Sequence, residues 1–114
     1  MTMPNNQDSQ TASQDPALKS TFADDPDMLE LVQEFVTDMP VRAREIEALW
    51  EQRNRVELLR LAHQLKGASA GYGFETLGLV ARTLETSLKQ DNADLEALRS
   101  QVDDLVSMCN RVSL

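Results

Sequence analysis

The chain has 114 residues, of which 41% are hydrophobic and only 4% aromatic, and it carries a formal net charge of −8. This length suits a single domain, whose core must consist mostly of aliphatic side chains. The acidic balance argues against broad binding to nucleic acids or to anionic membranes, because both need basic patches. Cys109 is the only cysteine and His63 the only histidine, which excludes an intrachain disulfide and a Cys- or His-rich metal cluster.

The N-terminal segment, residues 1–14, is rich in Asn, Gln, Ser, Thr and Asp. Such a segment cannot bury enough apolar surface to offset the entropy of ordering, so we predict a disordered tail. The segment also lacks the basic start and apolar run of a secretory signal, and no stretch reaches the ~18 apolar residues of a membrane span. We therefore expect a cytoplasmic protein whose single folded domain covers residues 15–114.

Hydrophobic spacing predicts helices along that domain. Pro16 to Thr21 is expected to form a short helical turn. Asp25 as N-cap and Pro26 as first helical residue then predict the start of an additional N-terminal helix, which Pro40 is expected to break or kink. A second segment carries Arg42, Ile46, Leu49, Trp50 and Arg53 on one stripe. Three further helices are predicted. The first runs from about Arg55 to Tyr72 and is capped by Asn54. The other two run from about Glu75 to Gln90 and from about Ala93 to Val112, with a turn at Asp91-Asn92 between them.

No strand pattern and no internal repeat appears in the sequence. Long amphipathic helices joined by short connections favour an antiparallel up-down arrangement. The predicted fold is therefore all-α: an antiparallel up-down four-helix bundle with an additional N-terminal helix and a flexible N-terminal tail.

The helix over about Arg55 to Tyr72 has an unusual second face. Its core stripe is Leu58, Leu61, Ala62, Leu65, Ser69 and Tyr72, whereas a second strip, pointing away from the core, is small and apolar around one His and one Lys. We call this second strip the His63 strip; it consists of Val56, Leu59, His63, Lys66, Gly67 and Ala70. A mid-helix glycine costs ~1 kcal/mol relative to alanine, so Gly67 suggests that a partner approaches closely beside His63.

This composition suits a phosphoryl carrier. A neutral imidazole nitrogen is a competent nucleophile, and the ammonium of Lys66, one turn further on, can neutralise phosphoryl oxygens. The other ring nitrogen needs an acceptor that fixes the tautomer. Glu85 lies at the edge of the core stripe of the next helix, where an antiparallel neighbour could bring it beside His63.

The segment from Ala62 to Gly73 resembles the histidine-containing phosphotransfer (HPt) family, whose pattern is His-x-Leu-Lys-Gly followed by small residues, an apolar residue and Gly. The resemblance implies that His63 takes the phosphoryl group, that Lys66 contacts it, and that Gly67 leaves room for a receiver domain. Family members also place Glu or Gln 22 residues after the His, bonded to its ring, and here 85 − 63 = 22. A further basic residue near the phosphate in some members corresponds to Lys89.

The resemblance implies a phosphocarrier in a two-component phosphorelay, without autonomous catalytic activity. Its partners would be a response-regulator receiver domain and a sensor or hybrid histidine kinase, and Val56, Leu59, Gly67 and Ala70 would form the docking surface. No cofactor is expected on the chain itself, since Mg²⁺ would sit on the receiver. A monomer is expected because partners need the His63 strip.

Other interpretations of the same residues stay open at this point. His63 could be an ordinary surface histidine, Gly67 could allow close helix–helix contact, and Glu85 could form only surface pairs with Arg82 or Lys89. At the level of function, the chain could be the direct substrate of a histidine kinase. It could also be a pure interaction module, whose His63 strip binds a partner without phosphoryl transfer.

Overall fold

The computed structural model describes residues 17–90 and 94–114. In this part of the chain it contains four α-helices: α1 (Leu29–Glu51), α2 (Arg55–Gly71), α3 (Glu75–Leu88) and α4 (Arg99–Arg111). A 3₁₀ turn at Leu95–Leu98 precedes α4. The predicted tail at residues 1–14 and the predicted turn at residues 91–92 lie outside the described residues.

The helix α1 runs without interruption across Pro40, so the prediction of a break there is wrong. The additional N-terminal helix and the segment that begins at Arg42 are parts of one helix, which ends at Glu51, so that Arg53 lies in the turn that follows. Pro40 removes one backbone N–H, but it lies on the exposed side of α1 and costs no core contact. The buried stripe continues past it with helical spacing, through Val32, Phe35, Met39, Ala43, Ile46 and Trp50.

The predicted start of this helix is also wrong. The helix begins at Leu29 and its N-cap Met28 makes no side-chain capping bond. Asp25 instead closes a turn before the helix: its carboxylate accepts from the backbone N–H of Asp27 at 2.9 Å, and its carbonyl accepts from Met28 at 3.0 Å. Aspartate is favoured both as a helix N-cap and in turns, and here Asp25 stabilises the turn.

Both ends of α2 follow local sequence signals. The predicted cap is confirmed, since the side chain of Asn54 accepts a hydrogen bond from the backbone N–H of Glu57 at 3.2 Å. At the other end the chain turns through Gly73, whose φ of +86° suits a residue without a Cβ. A Cβ at Gly73 would lie 2.5 Å from the Ser20 hydroxyl, so the turn leaves space for glycine alone.

The core lies between the four helices, with α2 packed most extensively on α3 and α1 on α4. The predicted stripes of α2, α3, the 3₁₀ turn and α4 supply most of the remaining buried side chains: Leu58, Leu61, Ala62, Leu65, Leu77, Ala81, Leu84, Leu88, Leu98, Val102, Leu105 and Cys109. Among the predicted core positions, Leu49, Tyr72, Val80 and Leu95 are only half-buried.

Two short strands were not predicted. Leu18–Lys19 (β1) pairs in parallel with Val112–Ser113 (β2), with Leu18 opposite Val112. This pairing replaces the predicted helical turn before Thr21 and ends α4 at Arg111. The following residues fasten the segment to the α2–α3 turn, because the Ser20 hydroxyl donates to the carbonyl of Tyr72 at 2.6 Å. In the described part of the chain, no helix has the length and apolar character needed to cross a membrane.

Candidate functional site

The imidazole of His63 projects from the side of α2 that faces away from the core. Its side chain is 64% exposed, although Ala62 before it and Leu65 after it are buried. Its Nδ1 lies 2.6 Å from Oε2 of Glu85 on α3, so the ring is fixed by the neighbouring helix. The structure therefore brings together the two residues that the helical wheel predicts to be neighbours.

Glu85 is a buried carboxylate, only 3% exposed. This burial argues against the interpretation of Glu85 as a residue that makes only surface pairs. Hydrogen bonds from Lys66 and His63, together with the charges of Lys66 and Lys89, outweigh the effect of burial and lower the pKa of Glu85 from 4.5 to about 2. The carboxylate is therefore ionised at neutral pH and acts as a hydrogen-bond acceptor.

An ionised acceptor on Nδ1 decides the tautomer of the neutral imidazole. Nδ1 carries the proton and donates to Glu85, which leaves the lone pair on Nε2. Nε2 has no hydrogen-bond partner among residues 17–90 and 94–114. The site thus presents a nucleophilic nitrogen on an exposed ring whose orientation is held from behind.

The two lysines predicted to contact phosphate both lie against Glu85. Nζ of Lys66 is 2.8 Å from Oε1 of that carboxylate. Nζ of Lys89 is 3.5 Å from Oε2, the oxygen that also accepts from His63. Two ammonium groups and one imidazole therefore share a single buried carboxylate at the edge of the exposed ring.

The remaining members of the His63 strip lie at the surface of α2. Val56 is 72% exposed, Gly67 and Ala70 are exposed, and Leu59 is half-buried. A Cβ built on Gly67 would meet nothing within 4 Å, so close helix–helix contact does not explain this glycine. The strip leaves open space beside His63.

Sequence reasoning missed Gly78, the glycine at the close contact between α2 and α3. A Cβ at this position of α3 would lie 3.3 Å from the carbonyl oxygen of Lys66 and 3.6 Å from Cβ of Ser69. Gly78 therefore lets α3 approach α2 along the turn that carries Lys66. The available signal was a glycine inside a predicted helix, directly after the core residue Leu77 in sequence. A surface groove of about 510 Å³ lies at this contact between α2 and α3. It is lined by Lys66, Ala70, Glu75, Gly78, Leu79 and Arg82.

No group of three or more His, Cys, Asp or Glu side chains that could hold a metal ion occurs in the described residues 17–90 and 94–114.

The family model of the Hpt domain matches residues 30–113, which include α1 from Glu30 onward, the three other helices and the His63 site. The chain therefore belongs to the Hpt domain family, whose members carry phosphoryl groups on histidine in two-component signalling and interact with kinases and response regulators. Hpt domains are phosphocarriers rather than catalysts. Searches of curated proteins and of solved structures gave no significant match.

Proposed function

We propose that this chain is a phosphorelay intermediate in which His63 accepts a phosphoryl group at Nε2 and exchanges it with an aspartate of response-regulator receiver domains. The observation that carries the proposal is the hydrogen bond of 2.6 Å between Nδ1 and the buried carboxylate of Glu85, behind a ring that is 64% exposed. This arrangement presents the Nε2 lone pair to an incoming partner and needs no base, because that nitrogen carries no proton.

The chemical step follows from this arrangement. The Nε2 lone pair attacks phosphorus, the bond from phosphorus to the aspartyl oxygen breaks, and the aspartate leaves as a carboxylate. The ring gains positive charge as the N–P bond forms, and Glu85 stabilises that charge through Nδ1–H. In the reverse direction the N–P bond breaks and neutral imidazole leaves. The lysine ammonium groups gathered at Glu85 supply the positive charge that offsets the phosphoryl oxygens.

Several finer features belong to the same proposal. The chain is a carrier without autonomous catalytic activity, and Mg²⁺ is held by the receiver. The phosphoryl group originates at a sensor or hybrid histidine kinase. The short connections between α1, α2 and α3 favour an antiparallel up-down bundle. We further propose a cytoplasmic monomer, in which the surface around His63 stays free for partners.

Transfer from receivers tests the proposed site directly. Each receiver domain of the host is phosphorylated with labelled acetyl phosphate, from which acetate leaves, and is then freed of that donor and incubated with the chain and Mg²⁺. We expect acid-labile, base-stable label on the wild type and none on His63→Gln. Label that persists on His63→Gln would refute the site. Labelling by a kinase core and ATP, with no transfer from any receiver, would instead indicate a direct kinase substrate.

Substitutions at Gly67 test the docking of a receiver separately from the phosphorylation of His63. Gly67→Gln places a long side chain in the open space beside His63, so we expect transfer from the fastest receiver to slow at least tenfold. Phosphorylation by phosphoramidate, a donor small enough to need no docking surface, should be unchanged. Gly67→Ala is the matched control, with a smaller effect on transfer. Equal transfer rates for Gly67→Gln and the wild type would contradict the docking role.

A further inference from the structure

The two lysines at Glu85 differ in their distance from the carboxylate and in their exposure. Lys66 lies within hydrogen-bond distance of Oε1, at 2.8 Å, and its side chain is 35% exposed. Lys89 is 3.5 Å from Oε2 and its side chain is 61% exposed. A separation of 3.5 Å is beyond the usual range of an N–H···O hydrogen bond, so Lys89 contributes mainly through its charge.

Moving Lys66 away from Glu85 and moving Lys89 away from it would have different consequences for the carboxylate. Within the described residues, Lys66 is the partner of Oε1, whereas Oε2 also accepts from His63. If Lys66 left, a buried carboxylate oxygen would lose both its hydrogen bond and its nearest countercharge, which is costly in a protein interior. If Lys89 left, each oxygen would keep a hydrogen bond.

A phosphoryl group on Nε2 makes the retention of Lys66 more important. The group brings up to about two negative charges close to a carboxylate that is already ionised. Repulsion between these charges is reduced if Lys66 stays on Glu85, and a separate cation is then needed for the phosphoryl oxygens. Lys89 has the loose contact and the exposure that allow its ammonium to move there.

We propose a division of labour between the two lysines, which rests on phosphorylation of His63 at Nε2. Lys66 is a positioning residue that stays on Oε1 of Glu85 and thereby holds the imidazole. Lys89 is the residue that turns to the phosphoryl group and neutralises it. This assignment differs from the family resemblance, which gives the phosphate contact to Lys66 first.

Two magnetic resonance readouts separate the two roles. Phosphoramidate phosphorylates His63 without a partner: its P–N bond breaks, ammonia leaves and the N–P bond to Nε2 forms. A ³¹P titration of the phosphohistidine then reports the pKa of the phosphoryl group, and ¹⁵N shifts of the unphosphorylated ring report the fraction with Nδ1–H. The chains compared are wild type, Lys66→Gln and Lys89→Gln, with Arg82→Gln as the control.

Lys89→Gln should raise the phosphoryl pKa by roughly 0.2 to 0.7 unit, as expected for the loss of one exposed ion pair, and leave the tautomer unchanged. Lys66→Gln should lower the fraction of the Nδ1–H form severalfold and leave the phosphoryl pKa within 0.1 unit of wild type (about the titration error). Arg82, an exposed cation one turn before Glu85 on α3, should affect neither readout.

The division of labour is overturned if Lys66→Gln raises the phosphoryl pKa as much as Lys89→Gln, or if neither variant changes its assigned readout. If Lys66→Gln does not fold, Lys66→Arg replaces it: the guanidinium should keep the Nδ1–H form, and a changed phosphoryl pKa would count against the proposal. Absence of phosphohistidine in the wild type is a different result, because it would refute the proposed function itself.

Discussion

Glu85 combines burial with charge. At 3% exposure a carboxylate normally favours its protonated form, yet here hydrogen bonds from Lys66 and His63 and the charges of Lys66 and Lys89 favour the ionised form. The ionised state matters for function, because a protonated carboxyl group would be a weaker acceptor for Nδ1–H. The orientation of His63 therefore depends on the charge of a residue on another helix.

This coupling gives a pH dependence with a defined sign. The folded pKa of about 2 is below the unfolded value of 4.5, so ionised Glu85 stabilises the fold above about pH 4.5. That stabilisation is lost as the pH falls from 4.5 towards 2. The free energy of unfolding of the wild type should therefore exceed that of Glu85→Gln at about pH 5, and the difference should shrink by about pH 2.5. Urea denaturation of both chains measures it.

The comparison with Glu85→Gln removes the contributions of the other carboxylates, which titrate in both chains. A difference in unfolding free energy that stays constant between about pH 5 and about pH 2.5 would contradict the lowered pKa.

At the residue scale, the pair His63 and Glu85 could be predicted because both positions follow from helical periodicity and from the family spacing. The contacts of Lys66 could not. A lysine side chain with four rotatable bonds can reach several acceptors, and its choice of Oε1 depends on where α3 places the carboxylate. Sequence reasoning therefore predicted a site role for Lys66 but did not predict its contact with Glu85.

At the scale of elements, helical stripes were predicted well and helix ends less well. Asn54 caps α2 as predicted, but Asp25 closes a turn and α1 starts at Leu29. The two signals are of the same chemical type, so sequence alone does not separate them. Pro40 illustrates the converse case: the apolar stripe on both sides of it packs on one core, and this packing offsets the loss of one backbone hydrogen bond.

The two mid-helix glycines, Gly67 and Gly78, should respond oppositely to the same substitution. Leucine is a far better helix former than glycine, and position 67 has open space, so Gly67→Leu should raise the free energy of unfolding by about 0.5–1 kcal/mol. Position 78 is buried against the backbone of Lys66, so Gly78→Leu should lower it by about 1–3 kcal/mol through overpacking. Urea denaturation of the two variants gives both values.

Equal stabilities for Gly67→Leu and Gly78→Leu would contradict the assignment of the close α2–α3 contact to Gly78. The phosphoramidate reaction gives a second check, because separating α3 from α2 should also displace Glu85 from His63. We expect slower phosphorylation of Gly78→Leu and an unchanged rate for Gly67→Leu.

At the scale of the whole molecule, the N-terminal segment before α1 joins two distant parts of the fold. It pairs with Val112–Ser113 through β1 and fastens the α2–α3 turn through Ser20. Sequence patterns could not predict this arrangement, since two-residue strands are too short for a periodicity and their partners lie at opposite ends of the chain. The segment also precedes residue 30, where the match to the Hpt family begins.

Ser20 supplies the side-chain hydrogen bonds of this attachment. Its hydroxyl donates to the carbonyl of Tyr72 at 2.6 Å and accepts from the backbone N–H of Phe22 at 2.9 Å. Ser20 is buried, so Ser20→Ala leaves both groups without this partner and should lower the free energy of unfolding by about 1–3 kcal/mol. Thr21→Ala is the matched control, because Thr21 is exposed and its backbone N–H keeps its bond to Gly73. This substitution should lower the free energy of unfolding by less than about 0.5 kcal/mol.

Urea denaturation of the two variants measures how much the attachment stabilises the fold. Phosphorylation by phosphoramidate measures whether the attachment also affects the His63 site. Ser20 contacts the end of α2 more than two helical turns beyond His63, so the folded Ser20→Ala chain should be phosphorylated at the wild-type rate. If Ser20→Ala unfolds at the same urea concentration as Thr21→Ala, the Ser20 hydroxyl contributes nothing measurable to stability. If Ser20→Ala loses phosphorylation while still folded, the attachment positions the site as well as the fold, because the end of α2 then controls the geometry of His63 and Glu85.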